Sequence, residues 1–384
     1  MNKKKIKILH IINSLSIGGA ERMLFNIISS SNISEFDISV FSLKAKCESS
    51  VEIEKLGIPV LYFNVLKKQD FIFRFLKILL EIVKLKPDLV QTWLYQSNLI
   101  GGIATKIVSS SKIVWSLHST LLKSNVTKKS TKIIVRLSSM LSKYIPDKII
   151  CCSNSSYSAH KKIGFDTNKM IVIPNGINLS EFNYSNSKKS FLLNKLNIDD
   201  DKVKVIGMVG RYHKMKRHDI FFHAAKIISD EHPFLHFLIC GNRINSTNDE
   251  LMAEIKIFEI NSKIHLLDNY YDMSELYSSL NLLVVTSSFG EAFPLTICEA
   301  MACKIPVIST DVGDCAQIIG DMDMVVPIND PILLAEKIEK VICLDKKNIS
   351  KIGEKNRIRI KRLFEIKDIS KRYENQYQKL LNIN

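Results

Sequence analysis

The sequence predicts an α/β protein built from two doubly wound parallel-sheet domains. Three observations carry that expectation. Short, nearly continuous apolar runs alternate with longer amphipathic ones along the whole chain. The alternation restarts once, after a polar stretch at residues 184–201. And 384 residues are well above the roughly 150 of an average single domain. Apolar runs without a polar alternate imply strands covered by helices on both faces, the arrangement of parallel sheets.

In chain order, the first strand is expected at KIKILHII (5–12). Others follow at 36–41, 59–63, 88–92, 112–117, 148–152 and 170–173. Helical patterns fall between them, among them RMLFNIISS (22–30), FIFRFLKILLEIVK (71–84) and TKIIVRLSSMLSKY (131–144). The second series places strands at 204–209, 235–240, 263–267, 280–285, 305–310 and 323–327. Its helices are expected at 218–229, 248–259, 272–279 and 293–303. The boundary is placed in the polar, strand-free stretch, giving domains 1–185 and 186–364. The last segment, 365–384, has helical periodicity with Ile369, Tyr373, Tyr377 and Leu380 on one side. No strand follows it, so it is expected to pack across both domains.

Composition narrows the class. Hydrophobic residues make up 46% and charged residues 24%, a globular balance that excludes disordered and fibrous chains. The net charge of +15 and pI of about 9.3 point to an anionic partner: nucleic acid, anionic lipid or a phosphorylated substrate. Nucleic-acid modules interleave aromatics with basic residues, a pattern the basic loop described below lacks. The eight cysteines form no CxxC pair and sit mostly in apolar runs, as reduced structural thiols do. MNKKKIKILHII imitates a signal peptide, but Lys7 and His10 interrupt the run and no small-residue cleavage site follows. No run reaches the ~18–20 apolar residues of a membrane span, so a cytoplasmic protein is expected. Two basic amphipathic stretches, 66–86 and 128–144, suit docking on an anionic membrane surface.

Three stretches carry candidate chemistry. After the first strand, Gly18 and Gly19 open a turn into a helix, where backbone can approach an anion. It is not a G-x-G-x-x-G fingerprint. In VGRYHKMKRH (209–218), Arg211 and Lys216 follow a strand end, where open α/β sheets bind ligands. Arginine offers a planar fork for phosphate oxygens and lysine a mobile point charge. His213, Lys214, Arg217 and His218 make this the most concentrated basic loop. In FGEAFPLTICEAMACKIPVISTDVG (289–313), Glu291 precedes a helix beginning near Pro294, and Glu299 lies eight positions further on. Ala292, Phe293, Pro294 and Leu295 form the entry to that helix, whose N-terminal dipole favours a diphosphate. Glu299 is then placed for ribose hydroxyls and Glu291 for a sugar. Gln91, Thr92 and Trp93 occupy another strand end.

Taken with VIPNGIN (172–178), FLICGN (237–242) and His118 in WSLH, these stretches resemble the retaining, nucleotide-sugar-dependent glycosyltransferases of family 4. The resemblance covers nearly the whole chain and implies the GT-B architecture: two Rossmann-like domains facing a cleft. It further implies that Arg211 and Lys216 bind the donor diphosphate, Glu299 the ribose and Glu291 the transferred sugar. His118 and the Gly18–Gly19 turn would line the reaction centre from the acceptor domain, where Gln91, Thr92 and Trp93 at a strand end are expected to touch the acceptor. The implied partners are a nucleotide sugar and a glycan or lipid-linked acceptor. Lys304 and Asp314 stand where the family usually has glycine, and Ala292 and Pro294 replace smaller or more flexible residues.

No cofactor and no metal are expected, because cationic side chains and a helix N-terminus can stabilise a leaving diphosphate. The two D-x-D patterns, Asp199/Asp201 and Asp321/Asp323, read as solvated turns. The rival readings are another GT-B enzyme, such as a sugar-nucleotide epimerase or a phosphorylase, and a non-catalytic sugar or nucleotide binder. The lysine context of a pyridoxal phosphate phosphorylase is missing.

Overall fold

The structure, a computed structural model, describes residues 5–16, 18–32, 34–47, 50–65, 70–120, 129–198 and 203–383. Their contacts divide the chain into two units, 1–176 with 366–384, and 177–365.

The first unit runs β1 (Ile6–Ile12), α1 (Gly19–Ser30), β2 (Phe36–Ser42), α2 (Val51–Glu54), β3 (Val60–Tyr62), α3 (Phe71–Leu85), β4 (Leu89–Trp93), α4 (Tyr95–Val108), β5 (Lys112–Leu117), α5 (Lys129–Leu141), β6 (Lys148–Cys151), α6 (Asn154–Ile163) and β7 (Met170–Val172). All pairings are parallel, in the order β3-β2-β1-β4-β5-β6-β7. The interior strand β1 shows why its sequence is mostly apolar. Ile8 and Ile12 face a core completed by α1, while Leu9 and Ile11 face one completed by α3 and α4. Two covered faces leave little room for solvated side chains: Lys7 sits at the strand's partly exposed start and His10 is buried.

The second unit runs α7 (Asn186–Lys195), β8 (Lys204–Val209), α8 (His218–Ser229), β9 (Leu235–Cys240), α9 (Asp249–Ile257), β10 (Ile264–Leu267), α10 (Met273–Ser278), β11 (Leu282–Val285), α11 (Leu295–Ala302), β12 (Val307–Thr310), α12 (Cys315–Ile319), β13 (Val325–Val326), α13 (Pro331–Ile342) and α14 (Lys346–Phe364). Its sheet is also parallel, in the order β10-β9-β8-β11-β12-β13. Asn248, Asp272, Asp330 and Asp345 cap α9, α10, α13 and α14 through their side chains. The thirteen expected strands are all present.

The boundary differs from the expected one. Residues 186–195, read as linker, form α7: Ser185 caps it, Leu192 and Leu193 are buried, and Lys188 pairs with Asp272 at 3.0 Å. A polar helix with one short apolar face looks like a linker in sequence. The last helix, α15 (Ile366–Leu380), was expected to pack across both domains. It belongs instead to the first unit, where Ile366, Ile369, Tyr373 and Tyr377 join the core beside α1. Within the second unit, its first and last residues, Ile177 and Glu365, are bridged.

Candidate functional site

In each sheet the strand order reverses between two neighbours, β1 and β4 in the first unit and β8 and β11 in the second. Ligands of open α/β sheets bind at the carboxyl ends of such a pair. The sequence-predicted residues fall at these two places: Arg211, Lys216, Glu291, Ala292, Phe293, Pro294, Leu295 and Glu299 in the second unit, Gly18, Gly19 and His118 in the first.

In the second unit, the loop after β8 is fastened to the end of β11. The Thr286 hydroxyl, shared between the Lys216 and Arg217 carbonyls at 2.7 and 3.0 Å, donates to them, and Ser288 N donates to the Met215 carbonyl at 2.9 Å. That anchoring brings Lys216 to Glu291: Nζ donates to Oε1 at 2.6 Å. The Ser287 hydroxyl donates to the same oxygen at 2.8 Å. Both side chains are largely buried. Burial alone would raise the Glu291 pKa; the Lys216 charge and hydrogen bond, Ser287 and the Arg211 charge override it and hold the carboxyl below its usual range. Arg211 is exposed at the mouth of the loop.

Glycines make the close passes possible. Gly241, at φ +149°, lies against the Gly210 carbonyl, which a Cβ would approach to 2.3 Å. Gly313, at φ +64°, lies equally close to the Glu291 carbonyl. Pro294 stands at the N-cap of α11, just ahead of Leu295, and residues 292–295 are buried around the helix entry. Glu299 is buried on α11 and accepts from the Tyr277 hydroxyl at 2.7 Å. Burial, with Glu299 beside it, pushes the Tyr277 pKa well up, so the phenol remains a donor.

The basic loop is less positive than its sequence suggests. Arg217 is occupied by Asp219 at 2.7 Å. His218 is buried and its pKa falls to about 4, while burial and then the Arg211 and Lys216 charges lower that of His213. Lys216 and Arg217 are each paired with a carboxylate, which leaves Arg211 and Lys214 as the exposed cations of the loop. The departures from family glycines also have local accounts. Lys304 adopts φ +62°, the conformation glycine favours, and Asp314 is buried at the N-cap of α12.

In the first unit, Gly18 caps α1 in an extended conformation, and a Cβ there would come within 2.4 Å of the Glu21 carboxylate. His118 follows β5 and stacks on Trp93, ring centroids 5.1 Å apart. Among the described residues its two buried ring nitrogens have no hydrogen-bond partner, and burial lowers its pKa to about 4. Behind it, Trp93 Nε1 donates to His10 Nδ1 at 3.2 Å, and burial lowers the His10 pKa to about 3. Gln91, Thr92 and Trp93, expected to touch an acceptor, have buried side chains. Gln91 bonds Ser116 and Tyr377, and Thr92 bonds Asn98. Strand-end polarity in the sequence here marks internal hydrogen bonding.

Asp321 and Asp323 belong to a short turn and pair with Lys355 and Lys337 at 3.4 and 3.6 Å; Asp199 and Asp201 lie outside the described residues. Among the described residues, Glu231, His232 and Glu339 bring three potential metal-ligand atoms within 4.8 Å of one another. They follow α8 and lie on α13, away from the carboxyl ends of the strands. Sequence reasoning missed Tyr277, Thr286 and Ser287. The only signal for the last two was their place between a strand end and Glu291.

With this geometry in view, family models match both halves of the chain: residues 17–181 match glycosyltransferase family 4, and residues 189–359 match glycosyl transferases group 1. The architecture agrees. Anabaena Alr3699/HepE, solved in complex with UDP and glucose, superposes with a TM-score of 0.85 at 21% identity, covering 97% of this chain and 100% of that one. Sucrose-phosphate synthase from Thermosynechococcus elongatus gives 0.79 at 17% identity, covering 98% and 100%. The chain belongs to glycosyltransferase family 4 and has the GT-B fold. Among curated relatives, it is 24% identical to an Escherichia coli UDP-Gal:alpha-D-GlcNAc-diphosphoundecaprenol alpha-1,3-galactosyltransferase over 80% of each chain. It is 25% identical to a Campylobacter jejuni N,N'-diacetylbacillosaminyl-diphospho-undecaprenol alpha-1,3-N-acetylgalactosaminyltransferase over 73% of this chain and 75% of that one.

Proposed function

We propose that this glycosyltransferase moves a hexose or related sugar from a nucleoside diphosphate donor to a glycan or lipid-linked acceptor, with retained anomeric configuration and no divalent ion. The setting proposed is surface polysaccharide synthesis, of capsule, O-antigen or exopolysaccharide. The observation that carries the reading is the buried Lys216–Glu291 pair, 2.6 Å long, with Arg211 beside it at the reversal of strand order. Two cations and one carboxylate there suit a substrate that is anionic at one end and rich in hydroxyls at the other. Both curated relatives, named for transfer to diphosphoundecaprenol-linked sugars, support a lipid-linked acceptor.

In this reading Arg211 and Lys216 hold the diphosphate, and Glu291 orients the sugar while fixing Lys216. Glu299, steadied by Tyr277, accepts from the ribose. The bond from the anomeric carbon to the diphosphate oxygen breaks as the acceptor oxygen bonds the same face of that carbon. The acceptor proton passes to the departing diphosphate. Negative charge grows on that oxygen, so donors aimed at it act more strongly in the transition state than in the ground state. His118 and the Gly18–Gly19 turn serve the acceptor side, with His118 a neutral imidazole at physiological pH.

Release of nucleoside diphosphate from a panel of nucleotide sugars, with and without candidate acceptors, tests the reaction. NMR of the product should show retention, and inversion would overturn the same-face displacement. Activity should survive exhaustive chelation; loss restored by Mg²⁺ or Mn²⁺ would overturn the metal-independent reading.

A further inference from the structure

Helices α3, α4 and α5 form one layer on the first unit's sheet, with α4 packed between the other two. An ordinary covering helix turns its apolar stripe inward and its polar face to water. Here α3 buries Ile78 and Ile82 but also exposes a second apolar stripe: Ile72, Leu76, Leu80 and Val83, with Phe73 beside it. Phe73 is 81% and Ile72 72% exposed. On α5 the outward positions Ile133, Leu137 and Met140 continue the pattern, and Tyr144 follows at 73% exposure. Apolar surface of this extent marks a binding face.

The charge of the layer says what covers it. Segments 71–86, 95–108 and 129–144 contain nine lysines and arginines and a single acid, Glu81, which is paired with Lys84 at 2.9 Å. More than half of the chain's +15 therefore lies on this layer. A second copy presenting the same face would repel it. An anionic lipid surface accepts both features at once, taking the apolar stripes into the acyl boundary while lysines and arginines reach the phosphates. Among the described residues no helix is long and apolar enough to cross a membrane, so the layer is suited to lying on the surface.

We infer that the α3–α5 layer is the face by which this enzyme docks on an anionic bilayer. The inference deepens the proposed lipid-linked acceptor and rests on that reading for its purpose, though the docking is measurable without any sugar transfer. In parallel α/β units a helix starts at the edge where the preceding strand ends. Ile72 and Phe73, in the first turn of α3, therefore lie at the sheet edge that also carries His118 and the Gly18–Gly19 turn. Docking there brings headgroup-linked acceptors to the acceptor-side residues.

Flotation with vesicles of phosphatidylglycerol and phosphatidylcholine, against phosphatidylcholine alone, tests the face. The wild-type chain should bind the anionic vesicles at least ~10-fold more tightly, and salt should release part of it. Ile72→Ser with Phe73→Ser should weaken binding roughly tenfold or more. Lys132→Glu with Arg136→Glu should abolish the preference for anionic lipid, and Met140→Ser gives an independent single-site reading with little risk to folding. Turnover on a water-soluble acceptor should be unchanged in all of them, while turnover on a vesicle-borne acceptor falls. Equal binding to both vesicle types overturns the inference. So does a wild-type dimer in sedimentation that the Ile72/Phe73 variant dissociates. Vesicle binding without turnover of any nucleotide sugar would leave the docking face standing and remove the transfer reading.

Discussion

The two units share a topology but place opposite chemistry at the reversal of their strand order. In the second, between β8 and β11, a lysine, an arginine and a carboxylate meet, and the carboxyl is held ionised by its cationic neighbours. In the first, at the ends of β1 and β4, Asn13 bonds Gln96 and Ser97, Trp93 packs with two imidazoles, His10 and His118, kept neutral by burial, and Glu21 is the acid in the first turn of α1. The same backbone crevice thus gathers cations around a carboxylate or mostly neutral polar and aromatic groups according to what the strand-end loops deliver. The difference matches the division proposed here, an anionic donor on one unit and a hydroxyl-bearing acceptor on the other.

The largest test of that contrast is removal of the cations. Arg211→Ala and Lys216→Ala should each lower kcat/KM by about 10²–10³, or ~2.7–4 kcal/mol, mostly through kcat. The double variant should lose little more, because both side chains neutralise one developing charge. Their stabilities should differ. Lys216→Ala leaves Glu291 buried without its cation and should cost about 3 kcal/mol in denaturant melts, whereas Arg211, exposed, should cost almost nothing. Near-normal turnover in both would reduce the charged crevice to a structural ion pair.

A smaller effect probes the neutral side. His118→Ala should reduce kcat about tenfold, the value of one hydrogen bond to substrate. Because its pKa is lowered to about 4, the imidazole carries no charge from pH 5.5 upward and gains a proton only as pH falls toward 4. The wild-type to variant rate ratio should therefore be flat from about pH 5.5 to 8. A step near the ordinary histidine pKa would show a charged imidazole and break the comparison.

The smallest effect sharpens the donor side. Tyr277→Phe removes the phenol that steadies Glu299 and should weaken nucleoside diphosphate binding about fivefold in calorimetry, ~1 kcal/mol. Glu299→Ala should weaken it further, and Glu291→Ala should act on sugar discrimination and turnover more than on nucleotide affinity. Equal affinity losses for the two glutamates would contradict the division of roles.

The alternation of short apolar runs with amphipathic ones determined the thirteen strands, because a strand covered on both faces must be mostly apolar, even where β1 carries Lys7 and His10 and β4 carries Gln91 and Thr92. It also placed Arg211, Lys216, Glu291 and Glu299 after strand ends, since position relative to a strand is a local property. What the tertiary structure decided were pairings between residues distant in sequence. Lys216 meets Glu291 only because Thr286 and Ser288 fasten one loop to another, and Glu299 meets Tyr277 only through the packing of α10 on α11. Gln91 and Thr92 turned inward for the same kind of reason, their polarity used by Ser116, Tyr377 and Asn98. The domain boundary was hidden because α7 is polar, and the place of α15 because an amphipathic stripe says that a helix packs but not on what. A side chain's polarity is written in the sequence; whether water, substrate or another side chain satisfies it depends on which loops the fold brings together.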